Sequence, residues 1–380
     1  MTNKKKLFLV TTVPMSFVFF KGQLLLLREH FDVTLISSPE PTLYSTAKEN
    51  KVNSKGIKMA REISLFSDFI SLFKLIGYFF KNRPDILHAN TPKGSLLALA
   101  AGFLCRVSTR IYYVHGLRYQ GATGFKKKLL MKMEKLSCVF ATDIIAVSKG
   151  VCKKLYEDKI TSKQITVIWN GSVNGIDLEY FNPQHTDIKD IRSFYKIDED
   201  DYVFGFLGRL VADKGINELV NAFSKVNAQY SKTKLLLVGS YENNLSPLSP
   251  ETLLKIQENP NIVETGPQSD VRSYLNAMDI MVFPSYREGF GMVLMEAAAM
   301  NVPAIASNII GCNEIIEDGV NGFLVEPKNM DTLLDKLVFA LENRGTIDTM
   351  KKNTRKIVQT KFEQNELWNK NIQHLLKITS

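Results

Sequence analysis

Val203-Phe204-Gly205-Phe206-Leu207-Gly208-Arg209-Leu210-Val211-Ala212-Asp213-Lys214-Gly215-Ile216 is the stretch from which the fold can be read. It opens on an unbroken apolar run that Gly208 ends; a loop with two cations follows, and a helical pattern starts near Ile216. Apolar residues without alternation belong to a strand covered on both faces, the environment of a parallel sheet. The same unit recurs outward in both directions. Towards the N-terminus, candidate strands lie at residues 7–12, 32–38, 57–61, 86–90, 110–115, 144–148 and 165–169; beyond them come 203–208, 234–239, 261–265, 280–284 and 304–307. Helical patterns such as 68–81, 95–105 and 126–140 separate them. The expected class is α/β, with parallel sheets flanked by helices.

A chain of 380 residues exceeds one ordinary core and calls for two domains. The polar stretch 182–201 (NPQHTDIKDIRSFYKIDEDD) reads as their joint. We expect an N-terminal Rossmann-like domain at 1–180, a second at 181–360, and a terminal helix at 361–380 that packs toward the first. Two such domains facing one another would take a ligand at the carboxyl ends of their strands, in the cleft between them. Leu367, Trp368 and Leu375 are the docking residues of the last helix. Charge divides near the same joint. Residues 1–180 carry 27 basic and 13 acidic side chains, against 21 and 26 in residues 181–380, within a net of +9. An anionic partner is therefore expected for the first half only. With 45% hydrophobic residues, global disorder is excluded. The four cysteines, Cys105, Cys138, Cys152 and Cys312, form no C-x-x-C pair and read as reduced thiols of a cytoplasmic protein. Lys4-Lys5-Lys6 and the apolar residues after it imitate a secretory signal, but Pro14 interrupts the run and no small-residue cleavage site follows. We read a first buried strand there. No stretch reaches the roughly 18 uninterrupted apolar residues of a spanning helix.

Two loops carry the chemistry. In the first, Gly208 lets the backbone approach a ligand, Arg209 offers a planar donor fork and Lys214 a point charge, a suitable clamp for a diphosphate. A solvated loop whose cations happen to lie close is the plain alternative. The second loop, Arg287-Glu288-Gly289-Phe290-Gly291-Met292, follows a strand and opens a helix, whose exposed amides and dipole favour phosphate oxygens. Glu288 and Glu296 can face one ligand from different depths and accept hydrogen bonds from hydroxyl pairs, as a sugar or ribose presents them. Glu296 lies between Val293-Leu294-Met295 and Ala297-Ala298-Ala299, where a carboxylate needs a partner. A plain helix N-terminal acid and a surface residue are the alternatives for these two.

Taken in order, these loops and Gly311-Cys312-Asn313-Glu314 resemble the retaining GT-B glycosyltransferases of family 4, also called group 1, of the bacterial surface-polysaccharide type. The resemblance covers the second half and extends more loosely to Pro84-Asp85-Ile86-Leu87-His88-Ala89, His115-Gly116, Val147-Ser148 and Asn174-Gly175-Ile176-Asp177. It implies a GT-B architecture and transfer of a sugar, hexosyl or N-acetylhexosaminyl, from a nucleotide-diphosphate sugar, with uridine diphosphate as the carrier. By that resemblance Gly208, Arg209 and Lys214 bind the donor diphosphate. Glu288 contacts sugar hydroxyls, Glu296 holds the ribose, and the backbone of Gly289, Phe290, Gly291 and Met292 holds sugar and phosphate. His115 faces the donor sugar; His115 and Glu288 are the catalytic candidates. Front-face attack, in which the departing phosphate helps deprotonate the acceptor, requires no protein nucleophile. The family's Gly-Gly pair after the first strand is absent: TTVPMSFVFFKGQ contains only Gly22, a candidate acceptor residue together with Arg118. The Asp198-Glu199-Asp200 run precedes a strand instead of following one and reads as a solvated turn, so we expect neither a metal nor a cofactor.

Residues 125–140 combine Lys126, Lys127, Lys128, Lys132 and Lys135 with Leu129, Leu130, Met133 and Leu136, and residues 68–81 carry Phe69, Phe73, Phe79 and Phe80. Such helices can rest on an anionic leaflet, although apolar faces packed on the sheet would account for the same pattern. We expect a cytoplasmic enzyme peripheral to the inner face of the plasma membrane, acting on a lipid-diphosphate-linked glycan in capsule or lipopolysaccharide synthesis. A nucleotide-sugar epimerase would share the architecture but needs acid–base residues on both faces of the sugar, and no such set can be assigned. A nucleic-acid-binding reading rests on charge alone, without an aromatic–basic or zinc-knuckle motif, so nucleic acid is not an expected partner. A dinucleotide oxidoreductase lacks its G-x-G-x-x-G.

Overall fold

The computed structural model describes residues 4–60, 64–185, 187–242 and 246–379. Two units divide the chain. The first runs to Gly175 and resumes at Asn365; the second is Ile176–Gln364. The first unit is built on a seven-stranded parallel sheet: β1 (Lys6–Val10), β2 (Asp32–Ser37), β3 (Asn53–Gly56), β4 (Ile86–Ala89), β5 (Thr109–Val114), β6 (Asp143–Ala146) and β7 (Ile165–Thr166). Their order is β3-β2-β1-β4-β5-β6-β7, so the winding reverses between β1 and β4. The second unit holds β8 (Tyr202–Leu207), β9 (Thr233–Val238), β10 (Ile262–Gly266), β11 (Ile280–Phe283), β12 (Ala304–Ser307) and β13 (Gly322–Val325), in the order β10-β9-β8-β11-β12-β13, reversing between β8 and β11. Every pairing is parallel. The residues of β4, β8 and β11 are all buried, as their unbroken apolar runs require. Lys6–Val10 pairs with both β2 and β4, so the signal-like N-terminal run is a central strand.

Three expectations need correction. The third strand lies at Asn53–Gly56, not at 57–61, of which Arg61 is outside the described residues. It is an edge strand with alternating exposure and so carries no apolar run; Ile57 only extends the pairing, donating to the Ser37 carbonyl at 2.8 Å, and is buried as the chain leaves the sheet. β13 has no counterpart among the strands read from sequence, because its four residues follow a turn through Gly319. The polar stretch 182–201 is part of the second unit: the short helix Ile191–Phe194 is capped by Asp190, and Arg192 bonds the Asp279 carboxylate at 2.7 Å.

The terminal helix, Gln364–Thr379, has Leu367 and Leu375 buried, and its residues from Asn365 onward belong to the first unit. Trp368 donates through Nε1 to Asn174 Oδ1 at 2.8 Å, and Asn174 in turn donates to the Lys21 carbonyl at 2.9 Å. All four cysteines are free thiols, with Cys138 and Cys312 buried. One core group is poorly matched to its surroundings. Glu134, on the helix Gly124–Phe140, is 3% exposed and accepts a hydrogen bond from the Tyr112 hydroxyl of β5. Burial pushes its carboxyl up from 4.5 to about 7, against the pull of Tyr112 and of the Arg118 charge.

A raised folded pKa means that the folded state binds this proton more tightly than the unfolded one, so the associated stability is present below about 4.5 and is lost as pH rises through about 7. Glu134→Gln mimics the protonated form. Denaturant melts across this range should show wild type falling by about 3 kcal/mol relative to Glu134→Gln. Parallel curves for the two proteins would contradict the assignment.

Candidate functional site

The second unit gathers its site at the reversal between β8 and β11. Gly208 leaves β8 with φ +145°, its amide held by the Val238 carbonyl at 3.0 Å. A short turn, Ala212–Lys214, then delivers Gly215, whose φ of +75° starts the helix Ile216–Gln229. Gly215 lies so close to the Pro284 carbonyl that a Cβ there would collide with it. That contact presses the first loop onto the end of β11. Further ties hold it: the Tyr286 amide donates to the Asp213 carbonyl at 3.0 Å, and Arg287 Nη2 meets the Asp213 carboxylate at 2.9 Å.

Between the loops Lys214 Nζ pairs with Glu288 Oε1, with side chains 16% and 14% exposed, and the ammonium stands 5.1 Å from the centre of the Phe283 ring. Arg209 lies further out and pairs with Glu242 at 2.8 Å, both side chains about two-fifths exposed at 42% and 39%. Tyr286 donates to Glu218 at 2.6 Å. The buried Cys312 thiol is pushed well up by burial and by the Glu288 charge, with Lys214 opposing, so it stays protonated beside this pair.

The glycine loop is braced from behind. Gly311, at φ +83°, packs so tightly on the Gly289–Phe290 backbone that no side chain fits, and its carbonyl accepts the Gly291 amide at 2.9 Å. The Met292 amide bonds the Phe290 carbonyl at 2.9 Å. Two of the backbone amides expected to meet a ligand, those of Gly291 and Met292, are thus engaged inside the protein: the tight loop that brings the helix start forward uses them itself. Phe290 is buried edge-on against Phe362, ring centres 5.5 Å apart. Glu296 is half-buried on the helix Met292–Ala299, with Leu294, Met295 and Ala297 to Ala299 buried around it.

In the first unit the reversal lies between β1 and β4. His115 follows β5 directly and is stacked between Phe19, at 4.3 Å, and Tyr113, at 4.4 Å. Phe19 comes from Pro14–Phe20, the helical turn formed by the loop without a glycine pair. His115 Nε2 lies 3.2 Å from Asn90 Oδ1, and burial brings the imidazole down to about 3. It is neutral at physiological pH. Arg118 is exposed at the start of the turn Arg118–Gly121. Gly22 has a structural explanation: φ is +80°, and the Trp368 indole occupies the place of a Cβ.

Asp198, Asp200 and Asp201 offer carboxylate oxygens within 4.8 Å of one another, but they stand at the amino end of β8, away from the glycine loops. Lys232 lies 3.1 and 3.3 Å from Asp198 and Asp200, and Asp201 accepts the Asp198 amide at 3.0 Å. Sequence reasoning missed Glu242, the Asp213–Arg287 tie, the Gly311 brace and Asn90. Asn90 left a signal as a polar residue ending a buried run, and Gly311 stood in the motif quoted above, but the contacts they make did not show in the sequence.

Two family models match the chain: "Glycosyl transferases group 1" over residues 187–357 and "Glycosyltransferase Family 4" over residues 25–179. The capsular polysaccharide biosynthesis glycosyltransferase CapM of Staphylococcus aureus is 36% identical over 368 residues, covering 96% of this chain and 95% of that one. The chain belongs to the group 1, family 4 glycosyltransferases. A second relative of this glycosyltransferase, the Escherichia coli UDP-Gal:alpha-D-GlcNAc-diphosphoundecaprenol alpha-1,3-galactosyltransferase, is 28% identical over 349 residues, 89% of this chain and 87% of that one. The fold is the GT-B architecture. HepE of Anabaena, solved in complex with UDP, superposes with a TM-score of 0.81 at 19% identity, covering 98% of the glycosyltransferase and all of HepE (100%).

The Lys214–Glu288 pair is mostly removed from water, so deleting either partner strands the other charge. Lys214→Met and Glu288→Gln should each lower stability by about 2 kcal/mol. The double variant should lose less than the sum, with a coupling of about 1 kcal/mol in a double-mutant cycle of denaturant midpoints. Additive losses would mean that the pair is not energetically coupled.

Proposed function

We propose that this glycosyltransferase is a retaining enzyme that needs no metal and moves a hexosyl or N-acetylhexosaminyl unit from a UDP-sugar to a hydroxyl of a lipid-diphosphate-linked glycan, in the synthesis of a bacterial capsule or other surface polysaccharide. The observation that carries this reading is the Lys214–Glu288 pair fixed where β8 and β11 end, with Arg209 beside it on the first loop. Fixed positive charge where a diphosphate departs stabilises the charge that develops there, and it costs no reorganisation during the reaction. Glu288 is placed to exchange its Lys214 contact for sugar hydroxyls, and Glu296 serves the ribose. In the first unit burial keeps His115 neutral, so its part is that of a hydrogen-bonding group and not of an acid. Front-face attack, with the leaving phosphate taking the acceptor proton, assigns no nucleophile to the protein. The names of the relatives support the donor and acceptor classes: CapM is a capsular polysaccharide enzyme, and the Escherichia coli relative is a galactosyltransferase that moves galactose from UDP-Gal to a GlcNAc-diphosphoundecaprenol. The UDP held by HepE supports the same carrier.

Membrane docking is part of the proposal. Among the described residues no helix is long and apolar enough to cross a membrane. The helix Leu65–Asn82 exposes Phe66 (81%), Phe69, Phe73 and Phe80 (71%), while Phe79 alone of the expected aromatics turns into the core. Beside it Pro92–Leu104 exposes Phe103 and Leu104, and next to that the helix Gly124–Phe140 exposes Phe125 and its five lysines. Packing on the sheet does not account for so many solvent-facing phenylalanines, whereas insertion among lipid headgroups, with lysines against anionic lipid, uses both features.

UDP and one UDP-sugar should raise the melting temperature of wild type. Arg209→Ala with Lys214→Ala should lower kcat about 100-fold or more, the scale of removing oriented charge from a transition state. The product anomer read by NMR should match the donor, and turnover should persist in excess chelator; an inverted product or loss of turnover in chelator would overturn those parts. In vesicle flotation, neutralising Lys126, Lys127 and Lys128 should weaken binding to anionic vesicles about 100-fold, at about 1 kcal/mol per lysine. Equal binding to neutral vesicles would remove the electrostatic component.

A further inference from the structure

Asn90 follows β4 directly beside His115, is 2% exposed, and has no role assigned above. Its side-chain orientation is determined by its surroundings. Nδ2 donates to the His88 carbonyl at 3.0 Å and to the Val10 carbonyl at 3.4 Å, and the backbone amide of Asn90 donates to that same Val10 carbonyl at 3.1 Å. With the NH2 group directed at two carbonyls, the atom left facing His115 Nε2, at 3.2 Å, is Oδ1. A carbonyl oxygen only accepts, so Nε2 must carry the proton and Nδ1 the lone pair.

The other edge of the ring is consistent with that assignment. Among the described residues, His115 Nδ1, His88 Nδ1 and His374 Nε2 are all buried without a hydrogen-bond partner. The three rings line one cavity of about 20 Å³, room for about one water. Such a water can donate to a bare Nδ1. Burial holds His88 down at about 4 and lowers His374 as well, so no charged imidazole competes for the site. The stacking of His115 between Phe19 and Tyr113 limits ring flips, which leaves the Asn90 contact to decide which nitrogen is protonated.

We propose that Asn90 is a positioning residue that holds His115 as the neutral tautomer protonated on Nε2, with its Nδ1 lone pair directed to the histidine-lined cavity. The inference deepens the proposed function and rests on the reading of His115 as a site residue. An imidazole whose tautomer is fixed presents the same donor and acceptor in every turnover; one that exchanges does so only part of the time.

The test is long-range proton–nitrogen NMR on enzyme labelled with 15N-histidine, with His115 assigned from its missing signals in His115→Gln. Wild type should show a proton on Nε2 and none on Nδ1. Asn90→Ala should shift His115 towards the other tautomer and lower kcat about tenfold, with little change in donor KM. Asn90→Asp, which keeps an acceptor at this position, should restore the Nε2 proton. A wild-type His115 protonated on Nδ1 overturns the proposal even if no variant folds, and so does an Asn90→Ala spectrum identical to wild type. If the tautomer follows Asn90 while His115→Ala leaves turnover intact, the positioning inference stands and the catalytic reading of His115 fails. If His115→Ala abolishes turnover while the tautomer ignores Asn90, the reverse holds.

Discussion

Parallel pairing governs this molecule. When every strand of a sheet runs the same way, all carboxyl ends emerge on one edge, and where the strand order reverses the flanking connections diverge and leave room for side chains and ligands. The reversals fall between β1 and β4 and between β8 and β11. His88, Asn90 and His115 cluster about the first, where β4 and β5 end, and Arg209, Lys214 and Glu288 about the second, where β8 and β11 end. Close approach completes the second cluster: Gly215 against the Pro284 carbonyl and Gly311 against the Gly289–Phe290 backbone bring together loops that any side chain would hold apart.

The two units handle polar groups at these edges differently. In the second, charges are retained and paired, Lys214 with Glu288, Arg287 with Asp213 and Arg209 with Glu242. In the first unit, burial shifts several titratable groups towards their neutral forms. His88 falls to about 4, His115 to about 3, and Glu134 rises to about 7. What positions them is hydrogen bonding: Tyr112 donates to Glu134, and Asn90 Oδ1 lies 3.2 Å from His115 Nε2.

Much of the fold was legible because burial on both faces leaves an unbroken apolar run, as at β4, β8 and β11. Where that condition fails, the sequence misleads. β3 has a neighbour on one side only and is polar; β13 is likewise an edge strand, paired with β12; and residues 182–201 are polar because they coat the second unit, with Arg192 and Asp190 engaged locally. The candidate site was legible as two loops of suitable residues. Its internal wiring was not, since the engagement of the Gly291 amide by Gly311 and of Arg287 by Asp213 joins residues distant in the chain.

The sequence by itself determined the class of fold, the order of its strand and helix units and the residue types at the strand ends, because local periodicity and glycine placement report burial and turn geometry directly. It also determined the basic excess of the first half. Which carbonyl takes which amide, which lysine meets which carboxylate, and that Phe66 and Phe80 face solvent while Phe79 is buried were decided only by tertiary structure. Hydrogen bonds and ion pairs depend on distances between segments far apart in the chain, and those distances are set only when the sheets have formed and the helices have packed on them.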